Sequence, residues 1–252
     1  MFTRRKFSNY WEGKMDPFRI VGNVYFVGTV QASVHLIDTG EGLILIDTGY
    51  ANTLYLVLHS MHKLGFNPED IRYIIHTHWH GDHTEATPLL LGLCNAKTLI
   101  GREDAENVRR YFEPDILVSD GDTLTLGKTT VTFLETPGHT KGTVSPIFET
   151  EDGGTVYRVG MFGGAGANTL LQGHFDYDGC REGYRASLHR LHQQQVDVCL
   201  GNHVWNNNTE EFGKLLAETG ENKFIDPMLW HTFLDFCEER LDRVIARDAA
   251  GN

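Results

Sequence analysis

The chain has 252 residues, with 22 basic and 34 acidic side chains and a formal net charge of −12. That balance speaks against a duplex-binding module, which needs a basic face to displace counterions. No run of ~18 apolar residues exists to form a membrane-spanning helix. At 40% hydrophobic and 22% charged, the composition is that of a soluble globular protein able to bury one large core. The first residues carry positive charge but no apolar stretch behind it, so they do not read as a signal peptide. The four cysteines (Cys94, Cys180, Cys199, Cys237) show neither CxxC spacing nor the density of a disulfide framework. A reduced, cytoplasmic protein is the expectation.

Residues 1–18 read as an N-terminal extension of one domain covering 1–252. NVYFVG and then SVHLIDTGEGLILIDTG are β-branched apolar runs, the second broken at residues 39–42 by a turn, which predicts a hairpin. Residues 52–65 have helical apolar spacing, with Gly65 placed as a C-terminal cap. IRYIIHTH follows as a strand with charge only at its start, the pattern of a strand covered on both faces. Helices are predicted after Thr84 and over 102–112. DTLTLG, TTVTFLETPG, TVSPIFE and YRVGMF are strands bounded by Gly and Pro, followed by a helix over 181–193 and a strand, VDVCLGNH. Asp226-Pro227 opens a C-terminal helix over 226–247, apolar around much of its girth. This order predicts an α/β protein with two sheets between helices, a four-layer αββα sandwich.

The sharpest feature is His78-Trp-His80-Gly-Asp82-His83, where a buried strand runs out into a loop. Residues i and i+2 of an extended segment point the same way, so His78 and His80 can grip one ion together. Asp82 and His83 lie past the turn, where the chain can fold back toward a second ion. Imidazole and carboxylate suit Zn²⁺, with Fe or Mn as alternatives. His139, in ETPGHTKG, and His203, in LGNH, sit at two further strand ends, and loops held on one rim of a rigid scaffold are where sites are built. Trp79 reads equally as a rim aromatic or as core packing, and His76 as a packed or hydrogen-bonded histidine. His59, His62, His189 and His192 read as helix-surface residues. Asn206-Asn-Asn208 reads as a turn within reach of a substrate.

HTHWHGDH, ETPGHTKG and LIDTG resemble the metallo-β-lactamase superfamily, and the element order matches its αββα sandwich over residues 23–247. The resemblance implies that His78, His80 and His139 hold a first ion and Asp82, His83 and His203 a second. Asp47 then supports the site from behind, the alternative being a turn-capping aspartate. Many members carry a bridging Asp on the strand after the third histidine. Here that strand, YRVGMF, has none, and Asp176 and Asp178 come well after it. The remaining ligand set is similar to the His-rich dinuclear third subclass of metallo-β-lactamases. That subclass presents serines after this strand to bind the drug's carboxylate, whereas this chain has Gly163-Gly-Ala-Gly-Ala167.

The resemblance therefore implies two Zn²⁺ ions per chain and a metal-bound hydroxide attacking a carbonyl carbon, with Asp82 orienting the nucleophile. The substrate is a small molecule, a β-lactam, lactone, amide or ester, and neither nucleic acid nor a membrane. Thioester or phosphodiester hydrolysis, or a non-catalytic metal-binding role, are the alternatives.

Overall fold

All four residues of β4 (Leu43–Ile46) are buried, because alternate side chains of this strand enter two different cores. Leu43 and Leu45 pack with outer helices, while Ile44 and Ile46 face a second sheet. The computed structural model that shows this describes residues 9–173 and 179–250.

The first sheet is built from β1 (Phe18–Val21), β2 (Val24–Phe26), β3 (His35–Asp38), β4, β5 (Ile71–Ile75), β6 (Lys97–Gly101) and β7 (Ile116–Val118), in that spatial order. Its first four strands pair antiparallel and the rest parallel, with α1 (Leu54–Lys63), α2 (Gly81–Thr84), α3 (Thr87–Leu91) and α4 (Ala105–Val108) in the connections. The second sheet contains β8 (Thr123–Leu126), β9 (Thr129–Glu135), β10 (Val144–Asp152), β11 (Thr155–Met161) and β12 (Val198–Leu200), in the order β12-β11-β10-β9-β8. α5 (Arg181–His192) precedes β12, and α6 (Thr209–Thr219) and α7 (Pro227–Ala249) follow it.

Three apolar layers hold this together. Ile37, Ile75, Val131, Phe133, Phe148 and Met161 pack between the sheets. Val57, Met61, Ile74 and Leu90 form the outer layer of the first sheet, and Tyr184, Leu188, Trp230 and Leu234 that of the second. The four-layer αββα sandwich is therefore as expected. Packing onto the sandwich also accounts for the girth of α7, since Leu229, Phe236, Val244 and Ile245 join the same cluster at its margin. Asp226 Oδ1 accepts the Met228 N–H at 2.9 Å and Pro227 follows, a helix start stabilised by about 1 kcal/mol. Among the described residues no helix is long and apolar enough to cross a membrane.

The local differences from expectation are instructive. Residues 52–65 form a 3-10 turn (Ala51–Thr53) continuing into α1, and Gly65 closes it at φ +84. The Gly65 N–H donates to His62 O and the Phe66 N–H to Met61 O, the paired bonds of a left-handed cap. The helix expected over 102–112 is only a 3-10 turn (Arg102–Asp104) and the single turn of α4. The strand expected to reach His78 ends at Ile75, because the Thr77 N–H leaves the ladder for the Asp47 carboxylate. β1, β6 and β7, of four, five and three residues, are too short to stand out without their neighbours, and the amphipathic α6 is an addition to the expected elements.

His35, on β3, is buried edge-on to Phe26, and neither ring nitrogen has a hydrogen-bond partner among the described residues. Burial pushes its pKa down to about 4 from an ordinary 6.5, against the opposing pull of the Asp47 carboxylate. The unfolded chain thus binds a proton in this window that the native state refuses. His35 leaves stability intact above pH 6.5 and erodes it, by roughly 3 kcal/mol in all, as pH falls toward 4. The urea midpoint of His35→Phe should therefore drop less than that of the wild type between about pH 7.5 and 5. Equal drops would assign the acid sensitivity elsewhere.

Candidate metal centre

The centre is assembled at the end of β5, where the chain leaves the sheet through bends over 77–80 and enters α2. The chain is bent here and not extended as expected, yet the His78 and His80 rings still lie 4.8 Å apart, centroid to centroid. The single turn of α2 returns the chain so that the His83 ring lies 4.2 Å from that of His78, tilted by 47°. His139 enters from the loop after β9 and His203 from the loop after β12. Among the described residues two groups result, His78/His80/His139 and Asp82/His83/His203, each with its ligand-type atoms within 4.8 Å of one another.

Four of the five histidines have one ring nitrogen held from behind, while His80 Nδ1 lies 3.0 Å from His139 Nε2. His139 Nδ1–H donates to Gly166 O at 2.6 Å, and Thr169 Oγ1 lies 3.0 Å from the same nitrogen. His203 Nδ1–H donates to Gln31 O at 3.1 Å. His83 Nδ1–H donates to Asp47 Oδ2 at 2.7 Å, and His78 Nδ1 lies 3.1 Å from Thr77 Oγ1. A carbonyl or carboxylate can only accept, so these contacts put the proton on Nδ1 of His139, His203 and His83 and leave Nε2 as a lone-pair donor. Asp47 is thus a support and not merely a turn cap: it also accepts from the Thr77 N–H and hydroxyl, both at 2.8 Å.

Electrostatics keep the ligand forms of His78, His139 and Asp82, whereas His83 must give up a proton to bind a metal. Burial, then the neighbouring imidazoles, hold His78 and His139 well below the usual imidazole range, so both are neutral. Burial would raise the Asp82 pKa, but His83, His203, His80 and His139 outweigh it and hold the carboxyl near about 2. Burial would lower His83, yet Asp82 and Asp47 lift it to about 8.

The donor set fits a metal ion. His83 Nε2 is buried with no hydrogen-bond partner among the described residues. Asp82 Oδ2 lies 3.7 Å from both His83 Nε2 and His203 Nε2, beyond hydrogen-bond reach. Two ligands ~2.0–2.1 Å from a shared tetrahedral ion stand roughly 3.3 Å apart, close to that spacing.

Several supports had no readable signal in the sequence. Asp104 is fully buried and accepts from the Trp79 N–H (3.1 Å), the Thr140 hydroxyl (2.7 Å) and the Gly142 N–H (2.7 Å), tying the His78–His83 loop to the His139 loop. The glycine run is close approach, not slack. A Cβ on Gly166 would lie 2.9 Å from His139 Cε1, and one on Gly164 2.7 Å from His139 Cβ. Trp79 packs beside Ile100 and Val108, the core-packing alternative, and its ring meets that of His80 at 4.5 Å. His76 bonds Leu99 O and Thr87 Oγ1 and belongs to the packing, as read from sequence. His59, His62 and His189 are exposed, but His192 is half-buried, 3.3 Å from His231. Asn206 and Asn207 turn inward to Asn202 and Cys199 O, so they pin the loop and do not reach outward. His174, Asp176 and Asp178 lie outside the described residues.

The sequence profile of the metallo-beta-lactamase superfamily matches residues 27–157, more than half of the chain and the part carrying His78 to His139. The chain belongs to the metallo-beta-lactamase superfamily. BJP-1, a subclass B3 metallo-beta-lactamase of Bradyrhizobium japonicum, superposes with a TM-score of 0.87 at 29% identity, over 96% of this chain and 98% of that one. The class B3 di-zinc metallo-beta-lactamase LRA-12 from an Alaskan soil metagenome does so with a TM-score of 0.80 at 26% identity, over 96% and 99%. The atrochrysone carboxyl ACP thioesterase of Aspergillus chevalieri is 31% identical over 183 residues, 69% of this chain and 54% of that protein. The matches span only 37% to 66% of the length of such curated relatives.

Proposed function

We propose that this chain is a dinuclear metal-dependent hydrolase that cleaves a carbonyl bond in a small molecule. The observation carrying the reading is the pair of three-ligand groups brought together at one rim. Structural zinc sites are closed by four protein ligands, whereas three per ion leave a position for water or substrate. In this reading His78, His80 and His139 hold one ion and Asp82, His83 and His203 the other. Zinc is the assignment, supported by the imidazole-rich set and by the di-zinc neighbour, with Fe and Mn as competitors. Such ions supply Lewis acidity and a lowered pKa for bound water.

The chain's own groups do the rest. Asp82, ionised at working pH, orients the attacking water and takes up its proton. Gly166 O, Gln31 O and Asp47 fix the His139, His203 and His83 tautomers, so no reorganisation is needed during turnover. The Gly163–Ala167 stretch offers backbone but no hydroxyl to a substrate. The substrate set therefore stays wide: β-lactam, lactone, amide, ester, and thioester, the last favoured by the thioesterase relative. Phosphodiester cleavage is less well supported, since β11 carries no acidic residue.

The test is a panel of a chromogenic β-lactam, an aryl ester, a lactone and a thioester, offered to zinc-loaded protein with and without chelator. Chelator-sensitive turnover of at least one is expected. A protein with two ions bound that is inert toward all four would overturn the proposal.

A further inference from the structure

His203 stands on an irregular loop, where its Nδ1–H donates to Gln31 O at 3.1 Å. The Trp205 indole stacks on that imidazole, 10° from parallel with centroids 5.5 Å apart, and so restrains the tilt of its ring. Trp205 is half-buried on the same loop and needs a support of its own. α7 provides one: the Arg240 guanidinium lies 4.8 Å from the indole centroid and 5.8 Å from that of Phe236, one helical turn earlier. Arg240 Nη1 is buried without a hydrogen-bond partner among the described residues. A guanidinium normally seeks acceptors for all its N–H groups, so one that gives up a bond while resting on two aromatic faces is held there by the rings.

From this we infer that Arg240 is a positioning residue for the second ion, acting through Trp205 on the orientation of His203. The inference rests on the dinuclear reading above. It ties α7, on the outer face of the second sheet, to the group Asp82/His83/His203, and leaves His78/His80/His139 untouched. Two consequences of removing Arg240 oppose one another. Loss of a nearby positive charge by itself favours a bound cation. Loss of the stack frees the His203 ring and weakens the same site, and outer-shell supports of metal-bound histidines typically matter by 10–100-fold in affinity. The sign of the change therefore separates positioning from plain charge.

The experiment is stepwise Co²⁺ titration of chelator-stripped protein, followed by visible absorption and calorimetry, for wild type, Arg240→Ala, Arg240→Lys and Trp205→Ala. Arg240→Ala should weaken the second equivalent about tenfold or more and leave the first within about twofold, which also serves as the folding control. Trp205→Ala should weaken it similarly, the double variant should be little worse than either single one, and Arg240→Lys should restore part of the affinity. A second equivalent bound by Arg240→Ala as tightly as by wild type, or more tightly, would refute the positioning role and leave the dinuclear reading standing. A wild-type protein that takes up no second equivalent would bring down both.

Discussion

Asp82→Asn, loaded with zinc, should keep its fold and lose at least about a hundredfold in turnover on whichever substrate the panel identifies, since general-base assistance alone contributes ~10²–10⁴-fold. The carboxylate is surrounded by His83, His203, His80 and His139, which hold its pKa at about 2. An amide in that position has neither the charge those imidazoles favour nor a basic oxygen to take a proton. The loss should fall on kcat and not only on KM, because the proton transfer occurs on the way to the transition state. Circular dichroism and metal content separate this from unfolding or ion loss. Wild-type-like turnover by a fully loaded variant would remove Asp82 from its assigned role.

Asp47→Ala should cost stability and metal binding together. The side chain is buried at φ +60, in the left-handed region where Asp and Asn are tolerated better than other non-glycine residues. It accepts from Thr77 N–H, Thr77 Oγ1–H and His83 Nδ1–H. Removing it strands three buried donors at ~1–3 kcal/mol each, partly relieved by relaxation, so a loss of roughly 3–5 kcal/mol in a denaturant titration is expected. That is a large share of a typical ~5–15 kcal/mol total. Asp47→Asn splits the two effects. Its amide oxygen still accepts from Thr77 and suits the backbone, so most stability should return. Its NH₂ group, however, faces His83 Nδ1 and favours the tautomer with the proton on Nε2, the atom directed at the ion. Stability near wild type with metal affinity still depressed is the expected signature. Recovery of both by the asparagine variant would show that Asp47 acts through packing alone.

Much of this molecule was legible one segment at a time. Alternation and apolar runs located the hairpin of β3 and β4, the buried β5, and the long antiparallel strands of the second sheet. The Asp226-Pro227 start of α7 and the Gly65 cap followed from local backbone chemistry. The pairing of His78 with His80 was expected from an extended chain, but the chain bends over 77–80 and brings the rings together by another route. Short elements carry little local signal. β6 and β7 have five and three residues, and each exists because a neighbouring strand accepts its hydrogen bonds. The helical pattern over 102–112 was overridden after α4, where the chain descends to place Asp115 against Thr98.

The sequence by itself determined which atoms can donate to a metal, because His and Asp chemistry belongs to the side chain. Only the tertiary structure decided what stands behind those atoms. Asp104 and Gly166 O lie 25 and 27 residues from the groups they hold, and Gln31 O lies 172 from His203. Such contacts are products of two sheets closing on each other, and no local periodicity encodes them. The same holds for the glycine run, which local reading cannot tell from a loose loop. It became a packing requirement only when the His139 ring was set against Gly166.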